Sequence, residues 1–523
     1  MAFCEQCGAL LSAGTKFCED CGAPVESADK GVPQDCLSHK RSGSGWREEW
    51  SSLASSCGSN ELGLIITRED ELVSQIGADA QAFRAMIDAY IASARRWGVC
   101  YYYLNLDECD ASRGGGEASS VIRALVAVVS EARPKYLMIL GNEKIIDVVR
   151  WRNHADDGDE IVESDLCYST LDNETPWNGQ RYEYDEILRV GRVPSFRGEG
   201  LESFSCYFKN AEREIGGLSR VVPYGLSALV WKDESNDEYS QISLRGVDVS
   251  PAVTKDDVGE RIDPKTNLMF FNVHGSNDTK YWYGQKGGSY PEAFEPAVLV
   301  GRDGSYFLGV EACYGAKYLG GLQPNQSIVL TALRNNCLAF LGSSRIAFGT
   351  SEPEGSCADI VIGNYIKYLA KGYSAGDAYI EGLRRLAAHP GSMDDSDIKT
   401  LAEFSLYGDP SARMMSSAKG VVSHQTGVSK GLFIPLPDVR DAVQMALAEV
   451  DAKIEAVIDD YVLEHMIPDL KRVGIDSAEQ ATYKMRNTGL NQKIYKYRGE
   501  DFFQVAKVYF DDNGKIHKAI ISK

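Results

Sequence analysis

The sequence has 523 residues, which is enough for several domains and for a large buried core. Apolar residues make up 44% of the chain and charged residues 25%, a composition that excludes fibrous and disordered proteins. The 55 Lys and Arg residues stand against 75 Asp and Glu, and the resulting net charge of -20 disfavours nucleic acid or an anionic lipid surface as the main partner.

The first residues, MAFCEQCGAL, lack the basic start and the apolar run of a secretory signal. No uninterrupted apolar stretch is long enough to cross a membrane. We therefore expect a cytoplasmic protein without a membrane partner. The 13 cysteines are an odd number, and those after residue 60 show no disulfide-like spacing, so we expect these to be free thiols.

Residues 1–25 contain two C-x2-C pairs, and a glycine follows the second cysteine of each pair. This spacing lets four thiolates surround one tetrahedral ion, so the segment predicts a structural Zn²⁺ site. A segment this short has no core of its own, and the metal would supply its folding free energy. The segment resembles the small zinc ribbons at the start of many bacterial proteins. The expected ligands are Cys4, Cys7, Cys18 and Cys21.

Residues 26–60 are rich in Ser, Gly, Asp and Lys and predict a flexible linker. The linker carries Lys40, Arg41 and Arg47, three basic residues open to a protease. Cleavage there could release the zinc ribbon as an inhibitory or docking module, which is one hypothesis for activation.

From residue 61 to about 415, short apolar runs alternate with helical patterns. LGLIIT, VCYYYLNL and YLMILG form a first series, and GLSALVW, NLMFFNVHG, SYFLGVEAC and CLAFLG form a second. This alternation predicts an α/β fold with mostly parallel strands and crossover helices. We expect two α/β subdomains, at 61–217 and 218–415.

Residues 416–523 show a different pattern. DVRDAVQMALAEVDAKIEAVIDDYVLEHM predicts a long amphipathic helix, and KIYKYRGEDFFQVAKVYFDDNGKIHKAIISK alternates around a DDNG turn as hairpin strands do. The chain therefore ends in a separate α+β appendage.

Two residues that could take part in catalysis follow buried-strand patterns. His274 comes directly after LMFFNV and precedes Gly275, and Cys313 ends the run YFLGVEA. Ligands bind at the carboxyl ends of strands in an open α/β sheet, where an imidazole could deprotonate a thiol. The backbone N–H groups of Gly275 and Cys313 are candidate donors to an oxyanion.

The order of four motifs resembles the gingipain family of caspase-like cysteine endopeptidases. The motifs are FNVHGS, GVEACYG, LAFLGSSRIAFG and LYGDPSARM, and the resemblance extends over about 61–415. It implies a caspase-like fold with Cys313 as nucleophile and His274 as general base or ion-pair partner. A carboxylate that orients the imidazole is also implied, for which Asp233 is the best candidate and Glu234 the next.

The resemblance further implies cleavage after Arg or Lys, whose side chain would pair with an acid in the pocket (S1) that holds the residue before the cut (P1). The candidate S1 residues are Asp237, Glu352 and Phe348. A buried guanidinium requires such a charged partner, and Phe348 could cover its aliphatic stem.

The sequence thus favours a cytoplasmic cysteine endopeptidase that acts on proteins or peptides with a basic P1 residue. It would need no metal for catalysis, and a regulatory protein could bind through the ribbon or the C-terminal domain. The main alternative is an inactive caspase-like scaffold that recruits partners through these two domains. A nucleic-acid factor that uses the ribbon is disfavoured because Glu5, Glu19 and Asp20 make the ribbon acidic.

Overall fold

The computed structural model describes residues 2–3, 10–11, 46–58, 60–108, 117–171, 188–213, 220–351, 355–388, 393–414, 450–485, 488–499 and 503–523. The four candidate zinc ligands lie outside these residues, as do Lys40, Arg41 and Glu352. The zinc site and the cleavage of the linker therefore stay predictions.

The described strands are β1 (Ala2–Phe3), β2 (Leu10–Leu11), β3 (Glu61–Thr67), β4 (Val99–Asn105), β5 (Tyr136–Leu140), β6 (Val149–Arg152), β7 (Ile161–Ser164), β8 (Arg189–Val193), β9 (Pro223–Ala228), β10 (Asp248–Ser250), β11 (Leu268–Asn272), β12 (His274–Gly275), β13 (Trp282–Tyr283), β14 (Glu292–Phe294), β15 (Tyr306–Val310), β16 (Cys337–Ser343), β17 (Phe348–Gly349), β18 (Phe404–Gly408), β19 (Glu479–Lys484), β20 (Asn491–Arg498), β21 (Phe503–Phe510) and β22 (Ile516–Ser522).

The described helices are α1 (Trp46–Cys57), α2 (Glu69–Ile76), α3 (Ala80–Ala94), α4 (Ala118–Ala132), α5 (Leu166–Thr170), α6 (Glu202–Arg213), α7 (Lys232–Tyr239), α8 (Lys255–Arg261), α9 (Ile328–Arg334), α10 (Ala358–Ala370), α11 (Ala375–Ala387), α12 (Asp395–Glu403), α13 (Ala452–Tyr461) and α14 (Leu470–Val473). Short polar side chains start several of them. Asp79 accepts a hydrogen bond from Ala82 N–H, and Asp394 accepts from Ser396 and Asp397 N–H. These caps satisfy N–H groups that have no partner inside the helix.

A ten-stranded sheet forms the centre, in the order β10-β9-β11-β15-β16-β18-β8-β5-β3-β4. The strands from β10 to β16 are parallel to one another, and so are those from β18 to β4. The two sets meet at the antiparallel pair β16 and β18. The predicted α/β class, with mostly parallel strands flanked by helices, is confirmed.

Asp409, in the LYGDPSARM motif, joins segment 218–415 of the chain to segment 61–217. The hydroxyls of Tyr90 and Tyr101 donate to its carboxylate, and the hydroxyl of Tyr207 accepts from its backbone N–H. All four residues are buried. A buried carboxylate needs such donors, so this motif stabilises the contact between the two segments.

The linker prediction is wrong for residues 46–57, which form helix α1. Trp50 of this helix is buried in the main core, and its ring meets that of Tyr102 edge to face at 5.9 Å. The composition of residues 26–60 is polar on average, so it gave no indication that a helix in this segment packs an apolar side chain against the core.

The expectation that all cysteines after residue 60 are free thiols is also wrong. Cys100 forms a disulfide with Cys57, with a Cα–Cα distance of 6.1 Å. The pairing arises because α1 packs against β4, a contact that spacing along the sequence does not indicate. Cys167, Cys206, Cys313, Cys337 and Cys357 are free.

In the C-terminal appendage, strands β19 to β22 form an antiparallel sheet, as the alternating pattern predicts. The appendage does not stand apart from the central part of the chain, however. Its last strand, β22, also pairs antiparallel with β17, with Phe348 opposite Ser522 and Gly349 opposite Ile521. The end of β22 thus reaches the edge where His274 and Cys313 lie. Among the described helices, none has the length and hydrophobicity needed to span a bilayer.

Candidate active site

The parallel strands β9, β11 and β15 are neighbours, so their carboxyl ends lie at one edge of the sheet. His274 follows β11, and Cys313 follows β15. The two segments are in direct contact, since a Cβ atom added to Gly275 would lie 1.8 Å from the backbone oxygen of Cys313. A glycine at 275 is therefore required for the two strand ends to approach this closely.

Cys313 is buried, with 5% of its surface exposed. Its thiol donates a 3.5 Å hydrogen bond to the backbone oxygen of Ala347. Burial raises the pKa of the thiol well above its usual range, so the sulfur is protonated in this state. The next residue, Tyr314, has φ +51, a conformation that is costly for a side chain of this size.

His274 is buried against Trp231, with the ring centroids 4.4 Å apart. Its Nε2 lies 2.7 Å from Oε1 of Gln285. The amide nitrogen of Gln285 donates to the Gly287 carbonyl and to the Tyr290 hydroxyl, so its oxygen faces the imidazole and accepts from Nε2–H. In the neutral ring, Nδ1 then carries the lone pair that can accept a proton.

Burial, the largest cause, lowers the pKa of His274 to about 4. The hydrogen bond to Gln285 opposes this shift, and the charge of Lys523 adds to it. The imidazole is therefore neutral at pH 7. A neutral imidazole and a protonated thiol are the protonation states from which a general-base step starts.

The backbone of Lys523 lies between Cys313 and Ala347, the residue before β17. Its N–H donates to the Ala347 oxygen at 2.9 Å, and its carbonyl oxygen accepts from Cys313 N–H at 2.9 Å. One extended peptide thus pairs with β17 and presents its carbonyl group to the backbone donor of the candidate nucleophile. Peptide ligands that add a strand to a sheet edge bind in this way.

The side chain of Lys523 is fully buried among three carboxylates. Its Nζ lies 2.6 Å from Glu311 and 3.9 Å from Glu234, and it also pairs with Asp359. The side-chain oxygen of Asn272 accepts a further hydrogen bond at 2.8 Å. Burial alone would lower the pKa of Lys523, but the charges of Asp359 and Glu311 raise it above its ordinary value.

The three carboxylates lie close enough together to hold a cation, with all ligand atoms within 4.8 Å of one another. The Lys523 ammonium takes that position here. Burial raises the pKa of Glu234 well above its usual range and that of Glu311 to about 8, although Lys523 lowers both. A buried cluster of this kind favours a bound cation, because the positive charge lowers the pKa of the acids and stabilises those that are ionised.

The walls of this pocket fit an aliphatic stem. The indole of Trp231 lies against the ammonium group, with Nζ 4.9 Å from the ring centroid. On the opposite side, Gly349 leaves the space for the stem, because a Cβ atom there would lie 2.0 Å from Lys523 Cε. We define the pocket formed by Glu234, Glu311, Asp359, Trp231 and Gly349 as the acidic pocket.

Of the predicted S1 and orienting residues that the structure describes, Asp233, Asp237 and Phe348 lie outside the acidic pocket. Asp233 and Asp237 are exposed on α7, whereas Glu234 between them is buried. Phe348 is fully buried in an apolar cluster with Cys313, and the Nζ atoms of Lys399 and Lys507 lie over its ring. Phe348 contributes to the site through the backbone of β17.

Sequence reasoning missed the residues that surround the lysine and the imidazole: Asn272, Gln285, Glu311, Gly349, Asp359 and Lys523. Two of them carried a usable signal, since Asn272 ends β11 and Glu311 immediately follows β15. Polar residues at the ends of buried strands are candidates for a ligand site. Asp359 and Lys523 had no such signal, because Asp359 lies on α10 and Lys523 follows β22.

A cleft of about 400 Å³ lies next to the site. It is lined by residues that follow His274 and Cys313, among them Asn277, Tyr281, Tyr314 and Lys317. Tyr314 and Gly315, the two residues after Cys313, form part of its wall.

No family model matches this chain, and no curated protein is significantly similar to it. Its structure is partly similar to several solved structures. The Arg-specific cysteine proteinase gingipain R is 11% identical, with 68% of this chain and 79% of that one covered at a TM-score of 0.48. The complex of the pro- and mature domains of RgpB from Porphyromonas gingivalis is 11% identical, with coverages of 88% and 93% and a TM-score of 0.47.

The separase–securin complex of Saccharomyces cerevisiae is 12% identical, with 58% of this chain and 17% of that one covered at a TM-score of 0.29. At these identities the likeness is one of fold. The chemistry of this chain is therefore derived from its own residues.

Proposed function

We propose that this protein is a cysteine endopeptidase that cleaves proteins or peptides after a basic residue. The proposal rests on the position of Lys523. Its carbonyl oxygen accepts a hydrogen bond from the Cys313 N–H, and its ammonium group lies in the acidic pocket. One residue thus fits a backbone donor, a strand edge and a charged pocket, as a P1 residue must.

In the proposed mechanism, His274 removes the proton from the Cys313 thiol, and the sulfur attacks the P1 carbonyl carbon. The Cys313 N–H, together with that of Gly275, stabilises the developing oxyanion. Protonated His274 gives its proton to the leaving amine, which breaks the peptide bond and forms an acyl-enzyme. Water, deprotonated by the same imidazole, then hydrolyses the thioester.

Gln285 holds the imidazole in the tautomer that this sequence of steps needs. It takes the orienting role for which the sequence suggested Asp233. An amide orients the ring without adding a negative charge, so His274 keeps its low pKa and stays neutral as the base.

The affinity-label experiment tests the proposal directly. We expect a peptidyl acyloxymethyl ketone with the sequence Ile-Ser-Lys to form one adduct, on Cys313, in the wild type and in Lys523→Ala. The matched ketone with norleucine, which lacks the ammonium group, should react at least about tenfold more slowly because it gains nothing from the acidic pocket. Peptide mapping by mass spectrometry locates the adduct. A folded protein with no adduct on Cys313 would instead support the inactive scaffold.

Substrate binding should depend on pH through Glu311. With a lysine in the pocket, burial raises the pKa of Glu311 to about 8, although the lysine charge lowers it. Without the lysine charge, the pKa of Glu311 is higher than this. Below about pH 8 the acid is protonated in both states, and this group adds no pH dependence. Above pH 8 the basic residue displaces a proton, and KM for a P1 Lys peptide should fall as the pH rises toward 9.

Steady-state kinetics of Lys523→Ala between pH 6.5 and 9.5 checks this expectation. A P1 norleucine peptide serves as the control, and its KM should stay flat over the same range. A KM for the Lys peptide that rises with pH would contradict the assignment of Glu311.

Further parts of the proposal concern the rest of the chain. We propose structural Zn²⁺ on Cys4, Cys7, Cys18 and Cys21, since four thiolates are a donor set that zinc prefers. A cytoplasmic location and a regulatory partner at the ribbon or the C-terminal domain complete the proposed role.

A further inference from the structure

We propose that residues 521–523 are a built-in occupant of the substrate site, which consists of the edge of β17 and the acidic pocket. While they stay bound there, the peptidase is closed to substrates. This inference rests on the proposed function, and it adds how the same site is controlled and which sequence it prefers.

The backbone of this segment fills the place of a substrate strand. Ile521 pairs with Gly349, Ser522 pairs with Phe348, and the Lys523 N–H bonds to the Ala347 oxygen. A peptide substrate that reached Cys313 in the same orientation would need the same edge of β17. Both cannot bind at once, because each backbone donor and acceptor of an edge pairs with one neighbouring strand.

The side chains exclude a substrate as well. Lys523 leaves no room in the acidic pocket for a second basic residue, and its side chain is fully buried there. Ile521 lies in an apolar cluster with Trp231, and the Ser522 hydroxyl accepts from Val505 N–H at 3.0 Å. With these contacts in place, Cys313 is covered and its thiol stays protonated.

Opening requires only a small part of the strand to move. Residues from Ile516 to Ile521 pair with β21, whereas Ser522 and Lys523 extend beyond this ladder to β17 and the cleft. The last two residues can therefore detach while the appendage keeps its sheet. Local opening of a strand end costs far less free energy than global unfolding.

Release would also prepare the candidate nucleophile. It uncovers the Cys313 thiol, whose ionisation burial opposes. A partner that pulls on the appendage could thus turn on the peptidase without cutting the chain.

The occupant also indicates the preferred substrate sequence. Lys523 marks P1, and Ser522 and Ile521 mark the second (P2) and third (P3) residues before the cut. We therefore expect peptides that end in Ile-Ser-Lys before the cleaved bond to be better substrates than peptides with acidic residues at P2 and P3. The substrate in the following test is Ile-Ser-Lys linked to a fluorogenic amine.

The test compares the full-length wild type, Lys523→Ala and the control Lys515→Ala. Lys515 lies in the same appendage, directly before β22, but is exposed and pairs with neither β17 nor the acidic pocket in the described contacts. A tethered segment competes with an effective concentration on the order of millimolar, so Lys523→Ala should raise kcat/KM at least about tenfold. Lys515→Ala should behave as the wild type.

A second measurement uses the unaltered protein and needs no turnover. Hydrogen exchange of residues 516–523 is followed before and after Cys313 is labelled with the Ile-Ser-Lys ketone. We expect the amides of Ser522 and Lys523 to lose protection on labelling, and those of 516–520 to keep it. The norleucine ketone should displace the segment less.

The outcomes separate the two proposals. Equal kcat/KM in the wild type and Lys523→Ala, or unchanged protection at Ser522 and Lys523 in the labelled protein, would overturn the built-in occupant and leave the peptidase intact. Neither turnover nor labelling in any of the three proteins would overturn the proposed function, and with it this inference.

Discussion

Cys313→Ala should reduce kcat/KM for the Ile-Ser-Lys substrate by about 10⁴-fold or more, because no other group can form the acyl-enzyme. His274→Ala should reduce it by about 10² to 10⁴-fold through loss of the general base. Both variants are measured in the wild type and in the Lys523→Ala background, so that a closed cleft cannot conceal the effect.

Cys337→Ala is the matched control for the nucleophile. Cys337 is a buried free thiol on β16, and it donates to a backbone oxygen as Cys313 does. Removing its sulfur creates a cavity of the same size, so thermal unfolding of the two variants should be similar. Activity lost equally in both variants would indicate a packing effect and would contradict a nucleophilic role of Cys313.

Gly349→Ala should close the acidic pocket. The added methyl group would lie 2.0 Å from the lysine stem and 2.4 Å from Asp359 Oδ1, and neither position is compatible with a bound lysine. We expect kcat/KM for the P1 Lys peptide to fall about a hundredfold or more, because the scissile carbonyl can no longer reach its bonding position. Iodoacetamide, which does not need the pocket, should still alkylate Cys313 in this variant.

Gly259→Ala provides the control for this substitution. Gly259 lies on α8 with open space around its Cα, and Ala is favoured over Gly within a helix. This variant should keep full activity and equal or higher stability. If Gly349→Ala cleaved the lysine peptide as well as Gly259→Ala does, the acidic pocket could not be the P1 site.

The strand ends of the site could be predicted because the signals are local. His274 and Cys313 each lie just after a mostly apolar run and are followed within two residues by a glycine, and both runs form buried strands of the central sheet. Burial on both faces produces such runs in parallel sheets, so the pattern survives in a single sequence. The same local signal predicted the antiparallel strands of the appendage, whose register the structure supplies.

The charged residues of the site could not be chosen from the sequence. In a chain of net charge -20 acids are common, and the sequence suggested Asp237 for S1 and Glu234 only as the second candidate to orient the imidazole. The face of α7 that packs on the sheet distinguishes these acids, since Glu234 is buried and Asp237 is exposed. A helix of eight mostly polar residues shows no apolar face from which this difference could be predicted.

The sequence by itself determined the α/β class, the positions of a thiol and an imidazole at strand ends, and the alternation of the last strands. Only the tertiary structure decided which acids surround the pocket and that Lys523 fills it. The contacts of this lysine with Asp359, Glu311 and Asn272 span 164, 212 and 251 residues. Local patterns specify which face of an element is buried, whereas the partner of that face is chosen by packing between distant segments, which no periodicity along the chain records.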